Sequence, residues 1–157
     1  MLFGRKKHPT YQEVVVCEEW HNFQNFAKWY YENYYEVNGE RMELDKDILY
    51  KNNKVYSPET CFIVPQRINN LFVKTNAKRG SCPIGVHEHK NGTYVVQCEF
   101  NKERKRYLGC YQTKEEAFYV YKHEKEKYIK EVAEEYKGLI PNELYNAMYN
   151  YKVEIND

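Results

Sequence analysis

Between Lys74 and Tyr107 the chain carries eight lysines and arginines against three glutamates, and four of those cations, Lys102, Arg104, Lys105 and Arg106, fall almost together. Cationic side chains of this kind neutralise phosphate oxygens and release the counterions condensed on a nucleic-acid backbone. The remainder of the chain holds sixteen basic and twenty acidic residues, so a formal net charge of +1 conceals a local excess. Such a stretch is either a phosphate-binding footprint or an ordinary solvated surface. The other reactive side chains are less organised. Cys17, Cys61, Cys82, Cys98 and Cys110 are odd in number, and none stands at Cys-x-x-Cys or Cys/His zinc spacing. That pattern argues against a disulfide framework and a structural zinc site, and favours reduced core thiols. His8, His21, His87, His89 and His123 are scattered and form no catalytic motif.

These groups must be positioned by short elements. Residues 11–16 read as a strand or an extended lead-in. From Glu18 a helical pattern begins, with Trp20, Phe23, Ala27, Tyr30 and Tyr34 on one face and Trp29 and Tyr31 off it; Asn38-Gly39 supplies its stop. Two short stretches, MELDKDIL and KVYSPETCFIV, flank a hairpin-like turn at Lys51-Asn52-Asn53, and Pro58 argues for a loop inside the second. Pro65 suits the first residue of a helix, PQRINNLF. The polar, basic run 73–83 marks a domain boundary.

Beyond it, IGVHEH, TYVVQCEF and RKRYLGCY are three strand-like runs separated by Lys90-Asn91-Gly92 and Asn101-Lys102-Glu103, which predicts an antiparallel meander. In the middle run Tyr94, Val96, Cys98 and Phe100 face the core, while Thr93, Val95, Gln97 and Glu99 face outward. Thr113 through Glu116 is a capping box. The helix it opens carries Ala117, Phe118, Tyr121, Tyr128, Val132 and Tyr136 as a core stripe, and Gly138 closes it. Pro141 opens a further helix to about Asn150.

With 17 tyrosines in 157 residues and few Leu, Ile and Val, the core must be built largely from aromatic rings. No apolar run is long enough to span a membrane, and the basic N-terminus lacks the apolar segment of a secretory signal, so a cytoplasmic protein is expected.

Gly85-Val86, Gly92-Thr93-Tyr94, Tyr107-Leu108-Gly109-Cys110-Tyr111, Thr113 through Ala117 and Tyr121 fall in the order and spacing of a known pattern. On these residues the second half resembles the apetala-two/ethylene-response-factor (ERF-like) DNA-binding domain. The resemblance implies a sheet lying in the major groove, with contact places at His87, His89, Gln97, Glu99, Lys105 and Tyr107. The family's arginines are largely replaced here by His, Gln and Glu, so its guanine preference is not implied. Phosphate contacts are expected from Lys102, Arg104, Lys105 and Arg106.

In the first half, Val16 through Trp20, Phe23, Phe26, Leu44 through Ile48, Tyr56 through Cys61 and the Val-Pro-Gln-x-x-Asn run of Val64 to Asn69 also match a pattern. They resemble HNH-type homing endonucleases encoded by phages, in which a nuclease module precedes a DNA-reading domain. The resemblance implies a divalent ion, Mg²⁺ or Mn²⁺, held by Asp45 with the amide of Gln66 or Asn69. It places Lys46 where a general-base histidine stands and Thr60 where a structural asparagine is usual. Lysine is a poor base at neutral pH, and Asp47 is the substitute or a second ligand. The resembled nucleases carry a further helical stretch before the residues that are here Pro9-Thr10-Tyr11, which suggests a shortened nuclease or a derivative reused for binding.

Together these readings predict an α+β chain: an HNH-like strand–turn–strand–helix module in 1–73, a linker in 74–83, a three-stranded antiparallel sheet packed on an amphipathic helix in 84–137, and a helical extension in 138–157. The expected function is binding of duplex DNA by the sheet, with no metal required for binding, in a protein that is monomeric by default. The alternatives are metal-dependent DNA nicking, and counter-defence of the anti-CRISPR kind, by binding a host defence nuclease complex.

Overall fold

The structure, a computed structural model, describes residues 13–73, 80–101 and 104–157, with backbone alone at 101, 104 and 105. Residues 11 and 12 of the expected lead-in, most of the expected linker, and Lys102 therefore lie outside the described residues. Backbone contacts divide the chain into two units, Met1–Asn69 and Asn70–Asp157. Among the described residues, no helix is long and apolar enough to cross a membrane.

The first unit begins with β1 (Val15–Val16), which runs into α1 (Glu18–His21) and α2 (Phe23–Asn33). The single helix expected from Glu18 is thus broken at Asn22. That residue is extended, at φ −83° and ψ 110°, and its side chain accepts from the Gln24 amide, so a capping asparagine restarts the helix. The helix also stops earlier than Asn38-Gly39, because Tyr34 turns extended. The expected aromatic stripe is redistributed accordingly. Trp20 is buried, with its ring 5.1 Å from Phe26 and 4.8 Å from Trp29, whereas Phe23 is exposed.

The expected hairpin around Lys51–Asn53 is not the pairing that forms. β2 (Met42–Asp45) pairs antiparallel with β4 (Phe62–Pro65), and β3 (Val55–Tyr56), in the excursion between them, pairs parallel with β1. Pro65 ends β4 rather than opening the helix; α3 spans Gln66–Phe72. A proline lacks the amide that an internal strand needs, and in this two-stranded sheet β4 is an edge strand, where proline is tolerated. Ile63, Val64, Ile68 and Leu71 are buried.

In the second unit β5 (Val86–Glu88), β6 (Tyr94–Asn101) and β7 (Arg104–Tyr111) form an antiparallel sheet with β6 at its centre. Its inner face packs on α4 (Lys114–Glu135), whose start is the predicted capping box, formed in both directions between Thr113 and Glu116. Val86, Val96, Cys98, Ala117, Phe118 and Tyr121 form the core between sheet and helix, and Val153 from the chain's tail joins them. Burying each of the valine and phenylalanine side chains contributes on the order of 1.5–3 kcal/mol. The tail is fastened to α4 at Glu126, which accepts from the Val153 amide at 2.9 Å and pairs with Lys122 at 2.9 Å. α5 (Asn142–Tyr149) packs along α4 through buried Leu144 and Met148. The expected extension is therefore continuous with the sheet and helix in one unit.

Candidate functional site

β6 alternates as the pleat requires: Val96 and Cys98 are fully buried under α4, while Gln97 and Glu99 are exposed on the opposite face. Cross-strand neighbours share a face, so the register assigns the rest. His87 on β5 is the partner of Val95, Tyr107 on β7 is the partner of Gln97, and Lys105 is the backbone partner of Glu99. His87 and Tyr107 are both exposed, Tyr107 to 62%. Gln97, His87 and Tyr107 make no side-chain hydrogen bond among the described residues, which leaves their polar ends open. Cys110 stands on the same face, its thiol 2.9 Å from the Thr93 hydroxyl.

The remaining residues expected at this interface are placed differently. His89 lies just past β5, in the turn, where a ring nitrogen meets Asn91 Oδ1 at 2.9 Å and its own amide donates to the Thr93 carbonyl. Arg106 is the register partner of Cys98 and so belongs to the helix side of the sheet. Its guanidinium stands 3.7 Å from Glu124 on α4. Arg104 is the backbone partner of Asn101 at the far end of the sheet. Arg106 is thus turned away from the outer face. Two irregularities in the β6–β7 ladder, at Val96/Gln97 and at Glu99/Asn101, add local twist there.

The first unit brings its expected chemical residues into a different arrangement. Asp45 ends β2, and its Oδ1 accepts from the Asp47 amide at 2.9 Å and the Ile48 amide at 2.8 Å. Burial raises its carboxyl above the ordinary range, opposed only in part by those two amides. Lys46 is buried, and its ammonium lies 2.8 Å from both carboxylate oxygens of Asp47 and 2.8 Å from the Asn53 carbonyl. Three acceptors use the three protons an ammonium has to give. The Tyr56 ring lies beneath it, 5.6 Å to the centroid. Asn53 completes the clamp by donating to the Lys46 carbonyl at 3.0 Å and the Val55 carbonyl at 2.7 Å. Thr60 fastens the other side of the excursion, with its hydroxyl donating to the Val55 carbonyl at 2.9 Å.

Gln66 and Asn69, one helical turn apart at the start of α3, converge on Glu43. Their amide nitrogens donate to its two carboxylate oxygens at 2.9 and 2.6 Å. Arg41 adds a guanidinium 3.6 Å away. Because a carboxylate only accepts, each amide must present its NH₂ group there and turn its oxygen elsewhere. A Mg²⁺ or Mn²⁺ ion needs converging oxygens. Here Gln66 and Asn69 turn their NH₂ groups to Glu43, and one oxygen of Asp45 accepts from its own loop. Gln66 and Asn69 are thus brought together on Glu43, while Asp45 is held by the amides of its own loop. Glu43 is the residue that sequence reasoning passed over. Its signal was present, since Glu43 and Asp45 alternate on one face of a strand and Gln66 and Asn69 share a helix face.

Comparison of the chain with protein-family models, with curated proteins and with solved structures finds no match.

Proposed function

We propose that the chain binds duplex DNA through the outer face of β5, β6 and β7 and does not cut it. The observation that carries this reading is the uncovered polar face itself: His87, Gln97 and Tyr107 project from adjacent strands with their hydrogen-bonding ends unused, inside the most basic stretch of the chain. Three strands spaced about 4.8 Å apart present a surface about 10 Å across, which suits the roughly 12 Å major groove. Phosphate contacts from Lys102, Arg104 and Lys105 supply affinity, and base edges meet the middle of the sheet. On the resemblance to phage HNH homing endonucleases, the first unit is a nuclease-like scaffold in which a structural cation has replaced the proton-handling histidine. What supports this is the bonding of Lys46: a fully engaged ammonium, held by Asp47 and Asn53, takes no proton from water.

The test has two arms. Fluorescence anisotropy with a labelled duplex should show binding without added metal, with log affinity falling linearly in log salt by about 0.9 per phosphate neutralised. Plasmid nicking with Mg²⁺ or Mn²⁺ should be absent from the native chain and from Lys46→His. Metal-dependent nicking abolished by Asp45→Ala would overturn the second half of the proposal, and absence of binding at low salt would overturn the first.

A further inference from the structure

Gln97 occupies the middle of the outer face, on the central strand. On the β7 side its neighbour is Tyr107, and on the β5 side its backbone amide donates to the carbonyl of Gly85 at 3.0 Å. The Gln97 side chain is exposed there. Asn53, Gln66, Asn69 and Asn91, by contrast, each bond a named backbone or side-chain group. An exposed carboxamide offers a donor and an acceptor side by side. Adenine's major-groove edge presents the complementary pair, the N7 acceptor beside the N6 amino donor. Guanine presents two acceptors there, which suit arginine or lysine.

Building on the DNA-binding reading above, we propose that Gln97 is the specificity-determining residue of this face and reads an adenine through its N6 and N7 positions. Tyr107, beside it, closes the β7 flank of the contact. The face then prefers sites with a fixed adenine, although the chain lacks the arginines that would select guanine.

The experiment is selection of bound sequences from a randomised duplex library by the full chain, repeated with Gln97→Ala and Gln97→Arg. The native chain should enrich one position for adenine, with a preference of roughly 5- to 150-fold over other bases. Gln97→Ala should retain binding to unselected duplex and lose that preference, and Gln97→Arg should move it to guanine. Placing 7-deazaadenine at the selected position should weaken the native chain and leave Gln97→Ala unaffected. Because Gln97 is exposed, its variants should keep the native circular dichroism spectrum. A preference that survives in Gln97→Ala, or native binding with no base preference, overturns this proposal while leaving DNA binding intact. Failure of the native chain to bind any duplex at low salt overturns both.

Discussion

Replacing Gly85 by alanine should cost the second unit far more stability than a surface substitution. Gly85 adopts φ +74°, and a Cβ built on it would lie 2.0 Å from Cδ2 of Tyr121. Tyr121 is itself 6% exposed and belongs to the core between sheet and α4, so its ring has no free space to enter. Two costs add: about 1–2 kcal/mol for an L-residue in the left-handed region, and about 1–3 kcal/mol for displacing packed core atoms. The sum, about 2–5 kcal/mol, corresponds to a fall of roughly 8–40 °C in the melting temperature of a domain this size. Gly92→Ala is the matched control, with φ +82° and nothing within 4 Å of its Cβ, so it bears the backbone cost alone. Thermal melts followed by far-UV circular dichroism would compare the two. Tryptophan fluorescence recorded in parallel reports only the first unit, because Trp20 and Trp29 both lie there. Equal losses for the two variants would refute the close-packing argument and leave only backbone strain.

Other outcomes follow from the same geometry. Asp45→Asn keeps an oxygen for the Asp47 and Ile48 amides while removing a half-buried charge. The native carboxyl has a raised pKa, so as pH climbs past its unfolded value near 3.8 the unfolded chain ionises first and stability declines until the folded pKa is passed. Urea titrations should show this decline flattened in Asp45→Asn, and a native-like slope in the variant would refute it. Thr113→Ala removes one half of the capping box and should destabilise α4 by about 1 kcal/mol in the same titration. Thiol labelling of the native chain should modify exposed Cys110 well before Cys98, which is fully buried and whose thiol burial pushes up to about 11. Rapid native labelling of Cys98, read by peptide mass spectrometry, would contradict the packing of β6 on α4.

The second unit was legible because its signals are local and periodic. Alternation along Tyr94–Phe100 separates core from surface with period two, and Thr113 with Glu116 announces a helix start by a self-contained hydrogen-bond exchange. The first unit was harder because its pairings are distant. Nothing local to Met42–Asp45 says that its partner is Phe62–Pro65 rather than the nearer run at Val55, and the break at Asn22 interrupts a stripe whose spacing is helical throughout. At the candidate interface, treating Arg104, Lys105 and Arg106 as one cationic surface ignored the pleat, which sends Arg106 toward Glu124. The Glu43 cluster depends on a strand and a helix meeting in space, a coincidence that single-sequence periodicity does not encode.

The attachment of Val153 has a consequence for biosynthesis. A ribosome delivers β5, β6, β7 and α4 well before it delivers the residue that seals the layer between them, and Glu126 and Lys122 remain without their tail partners until then. A released chain that ends between Glu135 and Val153 should therefore expose an unsealed apolar seam to chaperones and proteases. Stable closure of the sheet on its helix becomes a late event, completed only after the tail has cleared the exit tunnel, and arrested chains released at intervals along this stretch should gain protease resistance in one step near its end.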